Sequence, residues 1–151
     1  MTLWSQLVGE SLGVSDWLQM DQQRINAFAE ATGDHQFIHV DPVAAAQTPF
    51  GGTIAHGLLT LSLIPHWLYP LLAPHTSGQV TTVNYGTDNL RYLLPVRSSD
   101  RVRLNASVAS VEEKGPGRTL VRLNTTVEIE GADKPALVAE SLLMVIEPLD
   151  T

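Results

Sequence analysis

Residues 56–72 read HGLLTLSLIPHWLYPLL, a stretch with apolar side chains on every side of an ideal helix. A helix of this composition predicts burial. The stretch is shorter than the ~20 apolar residues that span a bilayer, and polar residues and prolines interrupt it. Pro65 lacks a backbone N–H, so we expect a kink or an end of the regular helix there. The sequence therefore predicts a helix at the centre of the fold.

The second half of the chain supplies strands that could surround this helix. Alternating apolar and polar residues predict strands over 79–85, 89–94, 101–111, 119–130 and 136–146. The clearest is 119–130, where Val121, Leu123 and Val127 share one face with Thr125 and Ile129. Short turns suggest that consecutive strands pair as an antiparallel meander. We expect an α+β fold in which a long, curved antiparallel sheet wraps around the central helix.

Two helix signals precede the central stretch. Asp21 is a plausible N-cap for a helix that Gly33 would end. Asp41-Pro42 predicts the start of a short helix over 43–47. The residues between these two helices are expected to form a loop, and residues 1–20 show only scattered apolar anchors.

That expected loop contains an ionisable cluster, GDHQFIH at residues 33–39. Asp34, His35 and His39 lie beside Phe37 and Ile38. Charged groups avoid apolar surroundings unless they are paired or take part in chemistry. The cluster is therefore the first candidate for a functional site.

Composition narrows the classes of function. The chain has 151 residues, 44% of them hydrophobic and 17% charged, which suits one domain that hides surface in an oligomer. A net charge of −7 argues against nucleic-acid binding. The absence of cysteine excludes disulfides and thiolate chemistry. No secretory signal or membrane span is visible, so we expect a cytoplasmic protein.

Residues 33–65 resemble the MaoC-like dehydratase family, also called R-specific enoyl-CoA hydratases. The family pattern GD-x-N-P-I-H-x-D, followed by I-A-H-G-M/L, is matched here by Gly33, Asp34, Ile38, His39, Asp41, Ile54, Ala55, His56 and Gly57. The resemblance covers roughly residues 15–147 and favours a subgroup resembling nodulation protein N. It implies one hot-dog domain over 1–151 that forms a homodimer. Gln36-Phe37 replaces the family's Asn-Pro, which leaves the acyl preference open.

The resemblance also implies a reaction and its residues. An R-specific 2-enoyl-CoA hydratase adds water across a trans-2-enoyl thioester and, in reverse, dehydrates a 3-hydroxyacyl thioester. Asp34 and His39 would be the catalytic pair. The candidate substrate-binding residues are Gly57, whose unpaired N–H at the start of the central helix would meet the thioester oxygen, together with His56, Ser62, Asn84 and Arg91. Coenzyme A would enter as part of the substrate, and no cofactor or metal is implied.

Alternatives remain open for individual residues and for the function. His56 could line the site or cap the central helix, Ser62 could bond to its own helix, and Arg91 could belong to a solvated rim. His35 and His39 with a nearby aspartate have metal-ligand character. An acyl-CoA thioesterase would usually carry a carboxylate on the central helix, where residues 57–72 have none. A non-catalytic acyl-thioester-binding module is the other alternative.

Overall fold

The computed structural model describes residues 3–76 and 80–148. Six strands form one antiparallel sheet: β1 (Ser11–Val14), β2 (Leu18–Gln19), β3 (Thr81–Tyr92), β4 (Arg101–Gly115), β5 (Arg118–Ile129) and β6 (Leu137–Ile146). Five α-helical segments accompany it: α1 (Gln22–Thr32), α2 (Phe37–Val40), α3 (Pro42–Ala45), α4 (Gly57–Ser62) and α5 (Ile64–Leu72). Short 3-10 turns cover Leu3–Leu7 and Ala73–His75. The expected α+β hot-dog architecture is confirmed.

The strand order is β1-β4-β5-β6-β3, and β2 also pairs with β4. Strands β4, β5 and β6 form the expected meander. The expectation was wrong for β3, which pairs with β6 at the far edge of the sheet rather than with β4. The two strands predicted over 79–85 and 89–94 are a single strand with bulges after Asn84 and Asp88. Gln79 lies outside the described residues.

The sheet's other edge was missed from sequence. β1 and β2 pair with β4 although residues 1–20 lack a regular alternation. β1 is only four residues long and contains a bulge between Ser11 and Gly13, and φ at Gly13 is 94°. Short, irregular strands give a weak periodic signal, because too few side chains alternate before the chain turns.

The core lies between the sheet and the central helix. The alternation predicted for β5 is confirmed, since Val121, Leu123 and Val127 are almost fully buried. The helix supplies Ile64, Trp67, Leu68 and Leu72 to the same core. It divides into α4 and α5 at Leu63, as the position of Pro65 predicted.

The central helix is not buried on all sides, which corrects the sequence-based expectation. Leu58 is 61% exposed and Tyr69 is 53% exposed. The sheet covers only one side of this helix, so its other apolar side faces outward in the single chain. That side adjoins β3, most of whose residues are also exposed.

The segment over 34–40 also differs from the predicted loop. Phe37–Val40 forms one helical turn, and Asp41 then caps α3 by accepting hydrogen bonds from the N–H groups of Val43 and Ala44. The helix α1 begins after Asp21 and ends at Gly33, where φ is 79°, both as predicted. Among the described residues, no helix is long and apolar enough to cross a membrane.

Candidate active site

Asp34 and His39 lie on opposite sides of a short turn. Asp34 is exposed just after the end of α1, and one carboxylate oxygen accepts a hydrogen bond from the Gln36 N–H at 3.3 Å. His39 lies on α2 and is only 6% exposed. The left-handed conformation of Gly33 ends α1 and turns the chain toward His39. The structure thus places one solvent-facing carboxylate near one buried imidazole.

The hydrogen bonding of His39 defines its tautomer. Its Nδ1 lies 2.7 Å from the Ile54 carbonyl oxygen, which can only accept, so Nδ1 carries the proton. In the neutral ring Nε2 then keeps a free lone pair. A backbone hydrogen bond from the Ile54 N–H to the Ile38 carbonyl fixes the same two segments at 3.0 Å. His39 is therefore held as a base with one nitrogen available.

The surroundings of His39 lower its pKa below the ordinary value of 6.5. Burial is the largest cause, because a charged imidazole loses hydration there. The neighbouring His56 lowers the pKa further, while the hydrogen bond to Ile54 and the charge of Asp34 raise it. The balance favours the neutral ring that a proton acceptor needs.

His56 is buried between the two members of the candidate pair. Its Nε2 lies 2.9 Å from the Asp34 carbonyl oxygen, and its ring stacks on His39 with centroids 3.8 Å apart. Phe28 packs against its ring at 4.8 Å. His56 occupies the N-cap position of α4, as one alternative expected, but its side chain makes no capping hydrogen bond there.

Three potential ligand atoms meet at this point. One carboxylate oxygen of Asp34 and one ring nitrogen each of His39 and His56 all lie within 4.8 Å of one another. A water molecule that hydrogen-bonds to two groups tolerates separations of up to about 5.5 Å, since each bond is about 2.7–2.8 Å long. These donor types could also hold a transition metal. His35 lies outside this set and faces Glu30 at 3.6 Å.

An apolar pocket of about 430 Å³ opens beside His39. Its walls are the start of α4, the segment after β3 and the start of β6. They include Phe50, Ile54, Leu58, Thr60, Leu93, Leu94, Val96 and Leu137. Pockets of this size and character suit an acyl chain rather than a polar metabolite.

Gly57 lies at the pocket's edge and is the first residue of α4. The first N–H of a helix has no acceptor within that helix, so this donor is available to a ligand. A Cβ at Gly57 would lie 2.8 Å from Cε1 of Tyr92. Glycine thus permits the aromatic ring to close over the start of the helix. Partial burial raises the pKa of the Tyr92 phenol, which keeps it protonated.

The remaining candidate residues lie elsewhere. Ser62 and Asn84 line a second pocket of about 290 Å³, which does not include His39. Ser62 donates its hydroxyl proton to the Leu58 carbonyl at 2.6 Å, as the structural alternative predicted. Arg91 is exposed and donates to the Leu90 carbonyl. The substrate-binding roles of these three residues remain predictions.

Gln22, which hydrogen-bonds to the backbone of His39, was not identified from the sequence. The Gln22 amide donates to the His39 carbonyl at 2.7 Å, and its oxygen accepts from the Thr53 hydroxyl at 2.5 Å. A glutamine in the first turn of a helix is usually solvated, so nothing in the sequence marked it. Tyr92 was likewise missed, because it was predicted only as part of a strand.

Fold and site together define a class: a hot-dog protein with an aspartate and a histidine beside an apolar pocket at the start of its central helix. The sequence model of the MaoC like domain family matches residues 4–131. The chain belongs to this MaoC-like dehydratase family.

Curated relatives and solved structures agree with this assignment. The chain is 47% identical over 138 residues to 3-hydroxyacyl-thioester dehydratase Z of Mycobacterium tuberculosis, covering 89% of this chain and 88% of that protein. It is 46% identical over 136 residues to nodulation protein N of Rhizobium meliloti, covering 89% and 84%. The (R)-hydratase from A. caviae involved in PHA biosynthesis superposes with a TM-score of 0.68 at 27% identity, covering 86% and 94%.

Proposed function

We propose that this chain is a hydro-lyase that hydrates trans-2-enoyl thioesters to R-3-hydroxyacyl thioesters and catalyses the reverse dehydration. The observation that carries the proposal is the buried His39, whose Nδ1 is bonded to the Ile54 carbonyl oxygen and which has a ring nitrogen within 4.8 Å of the Asp34 carboxylate, beside an apolar pocket. Relatives named as a 3-hydroxyacyl-thioester dehydratase and an (R)-hydratase support the class of reaction.

Water addition follows from this geometry. Asp34 and His39 hold one water by accepting hydrogen bonds from its two O–H groups, with a lone pair of the water oxygen directed at C3 of the substrate. His39 Nε2 takes one proton as the oxygen bonds to C3, and the pair returns a proton to C2. The reaction adds one water in total, and positioned acid–base groups of this kind contribute about 10²–10⁴ in rate.

Negative charge develops on the thioester oxygen as water adds. The free N–H of Gly57 is the proposed donor to that oxygen, since it lies at the edge of the acyl pocket. The dipoles of the first turn of α4 point the same way. Coenzyme A or an acyl carrier would remain outside, where exposed Arg91 is a candidate contact for phosphate.

We also propose that the protein acts as a homodimer. The exposed side of the central helix lies beside the exposed strand β3, since Tyr69 lines one pocket with Thr81 and Thr82. Leu58, Tyr69, Val83 and Tyr85 are the large apolar residues exposed on these two elements. An open strand edge next to an apolar helix face favours pairing with a second copy.

The test is hydration of crotonyl-CoA and a longer trans-2-enoyl-CoA, followed by loss of the conjugated thioester's ultraviolet absorbance. We expect turnover by the wild type and a drop of about 10² or more in kcat for Asp34→Asn and for His39→Gln. Chiral analysis of the product should give the R alcohol. Addition of a chelator should leave the rate unchanged, since water is activated by the pair and not by a metal.

His35→Gln is the matched control, because His35 belongs to the same sequence cluster but is exposed and outside the site. It should keep near wild-type activity. Binding without loss of absorbance at any chain length would overturn the hydratase proposal. Thiol release would indicate a thioesterase, and binding alone would indicate a non-catalytic module.

A further inference from the structure

His56 makes one hydrogen bond whose polarity is fixed. A carbonyl oxygen only accepts, so the contact with Asp34 at 2.9 Å requires a proton on His56 Nε2. Its other nitrogen, Nδ1, is buried and has no hydrogen-bond partner in the part of the chain that the structure describes. Within the described residues, the one hydrogen-bond partner of this ring is therefore the backbone of Asp34.

The ring's faces are also occupied. His39 stacks on it at 3.8 Å with an interplanar angle of 23°, and Phe28 packs at 4.8 Å. Only 2% of His56 is exposed. A side chain packed this tightly cannot turn without moving its neighbours. His56 thus contacts both catalytic residues, through the backbone of Asp34 and through the ring of His39.

We propose that His56 is a positioning residue that sets the separation of the Asp34 carboxylate and the His39 imidazole. It does so by donating Nε2–H to the Asp34 carbonyl while stacking on the His39 ring. This inference rests on the proposed hydration reaction for its catalytic consequence. Asp34 lies on an exposed turn, so without this anchor its carboxylate would sample positions too far from the shared water.

Two substitutions separate the anchor from the stack. His56→Phe keeps an aromatic ring against His39 but loses the donor. His56→Gln keeps a donor at nearly the position of Nε2 but loses the ring. We expect kcat to fall by about 10²-fold in His56→Phe, the scale of a misplaced catalytic group, with KM changed less than about threefold. The glutamine variant should recover at least about tenfold of that loss.

A matched control is His66→Phe, which replaces an exposed histidine on α5. Circular dichroism and thermal unfolding should show that the variants remain folded. A folded His56→Phe variant with wild-type kcat would overturn the proposal. So would equal kcat values for the phenylalanine and glutamine variants, because the Asp34 anchor would then contribute nothing.

A second readout does not depend on turnover. Nitrogen-15 NMR of histidine-labelled protein should show His56 as the Nε2–H tautomer, and His56→Phe should shift the His39 ring signals more than His66→Phe does. A His56 Nδ1–H tautomer, or unchanged His39 signals, would overturn the positioning role. A wild type that shows the expected tautomer but no hydration would instead refute the proposed function.

Discussion

His39 illustrates how a residue's surroundings set its chemistry. The same ring in solvent would be partly charged near neutral pH, whereas here burial and His56 lower its pKa. Its Nδ1 is bonded to the Ile54 carbonyl oxygen, which leaves the lone pair of Nε2 as the proposed acceptor for water. The exposed Asp34 remains hydrated. Two neighbouring ionisable groups thus differ in environment, which is how a site divides proton-transfer roles.

The lowered pKa of His39 gives a pH prediction. Hydration requires the neutral ring, so kcat/KM should be close to its maximum at pH 7. It should fall as the pH drops through an apparent pKa below 6.5. An initial-rate profile between pH 4.5 and 8 at about constant ionic strength measures it.

The same shift affects stability with a defined sign. The unfolded chain binds a proton at His39 more readily than the folded chain, so unfolding becomes harder as the pH rises from the folded pKa toward 6.5. Urea unfolding of wild type and His39→Gln across this window isolates the effect. Two results would contradict the assignment of a neutral His39. One is a loss of kcat/KM that already begins above pH 6.5 on acidification. The other is a difference in free energy of unfolding between wild type and His39→Gln that decreases as the pH rises.

At the scale of elements, short segments position the site and longer ones support them. Isolated helices as short as α2 and α3 are not stable, because the conformational entropy lost in ordering the first turn exceeds the free energy gained from its hydrogen bonds. They are held here by the Asp41 cap and by the bonds between α2 and Ile54. The longer α1 ends two residues before Asp34 and carries Gln22 and Phe28, so loss of this helix would disturb the site.

The N-cap of α1 can be tested directly. Asp21 accepts a hydrogen bond from the Arg24 N–H at 2.8 Å, and Asp21→Ala should lower the free energy of unfolding by about 1 kcal/mol. Asp21→Asn should cost less, because the amide oxygen can still accept. Asp16→Ala removes an exposed carboxylate outside any helix and should change stability by less than about 0.5 kcal/mol. Equal losses in Asp21→Ala and Asp16→Ala would show that the cap contributes nothing.

At the scale of the whole molecule, the two sheet edges differ. β1 is four residues long, whereas β3 has twelve residues and lies beside the exposed side of the central helix. The longer edge therefore offers more backbone hydrogen bonds and more apolar surface to a second copy. Long exposed edges are ordinarily covered in native proteins.

We expect sedimentation velocity to give a mass close to twice the 16.4 kDa of one chain. Val83→Lys and Tyr85→Lys place charge on β3, where these side chains are 48% and 61% exposed, and they should dissociate the dimer. Val14→Lys on the opposite edge is the control, since Val14 is exposed to a similar extent, at 46%. Dissociation by Val14→Lys alone would assign the interface to β1 instead.

The sequence by itself determined the central helix, the alternating residues of the segments that form β3 to β6, the helix ends at Asp21 and Gly33, and the Asp34/His39 cluster. These features are local, because periodicity, caps and motifs are written within a few adjacent residues. Tertiary structure alone decided that β3 pairs with β6, that one side of the helix is exposed, and that His56 and Gln22 contact the turn that carries Asp34 and His39. Such contacts join residues 17 or more positions apart, and they depend on how the sheet closes over the helix.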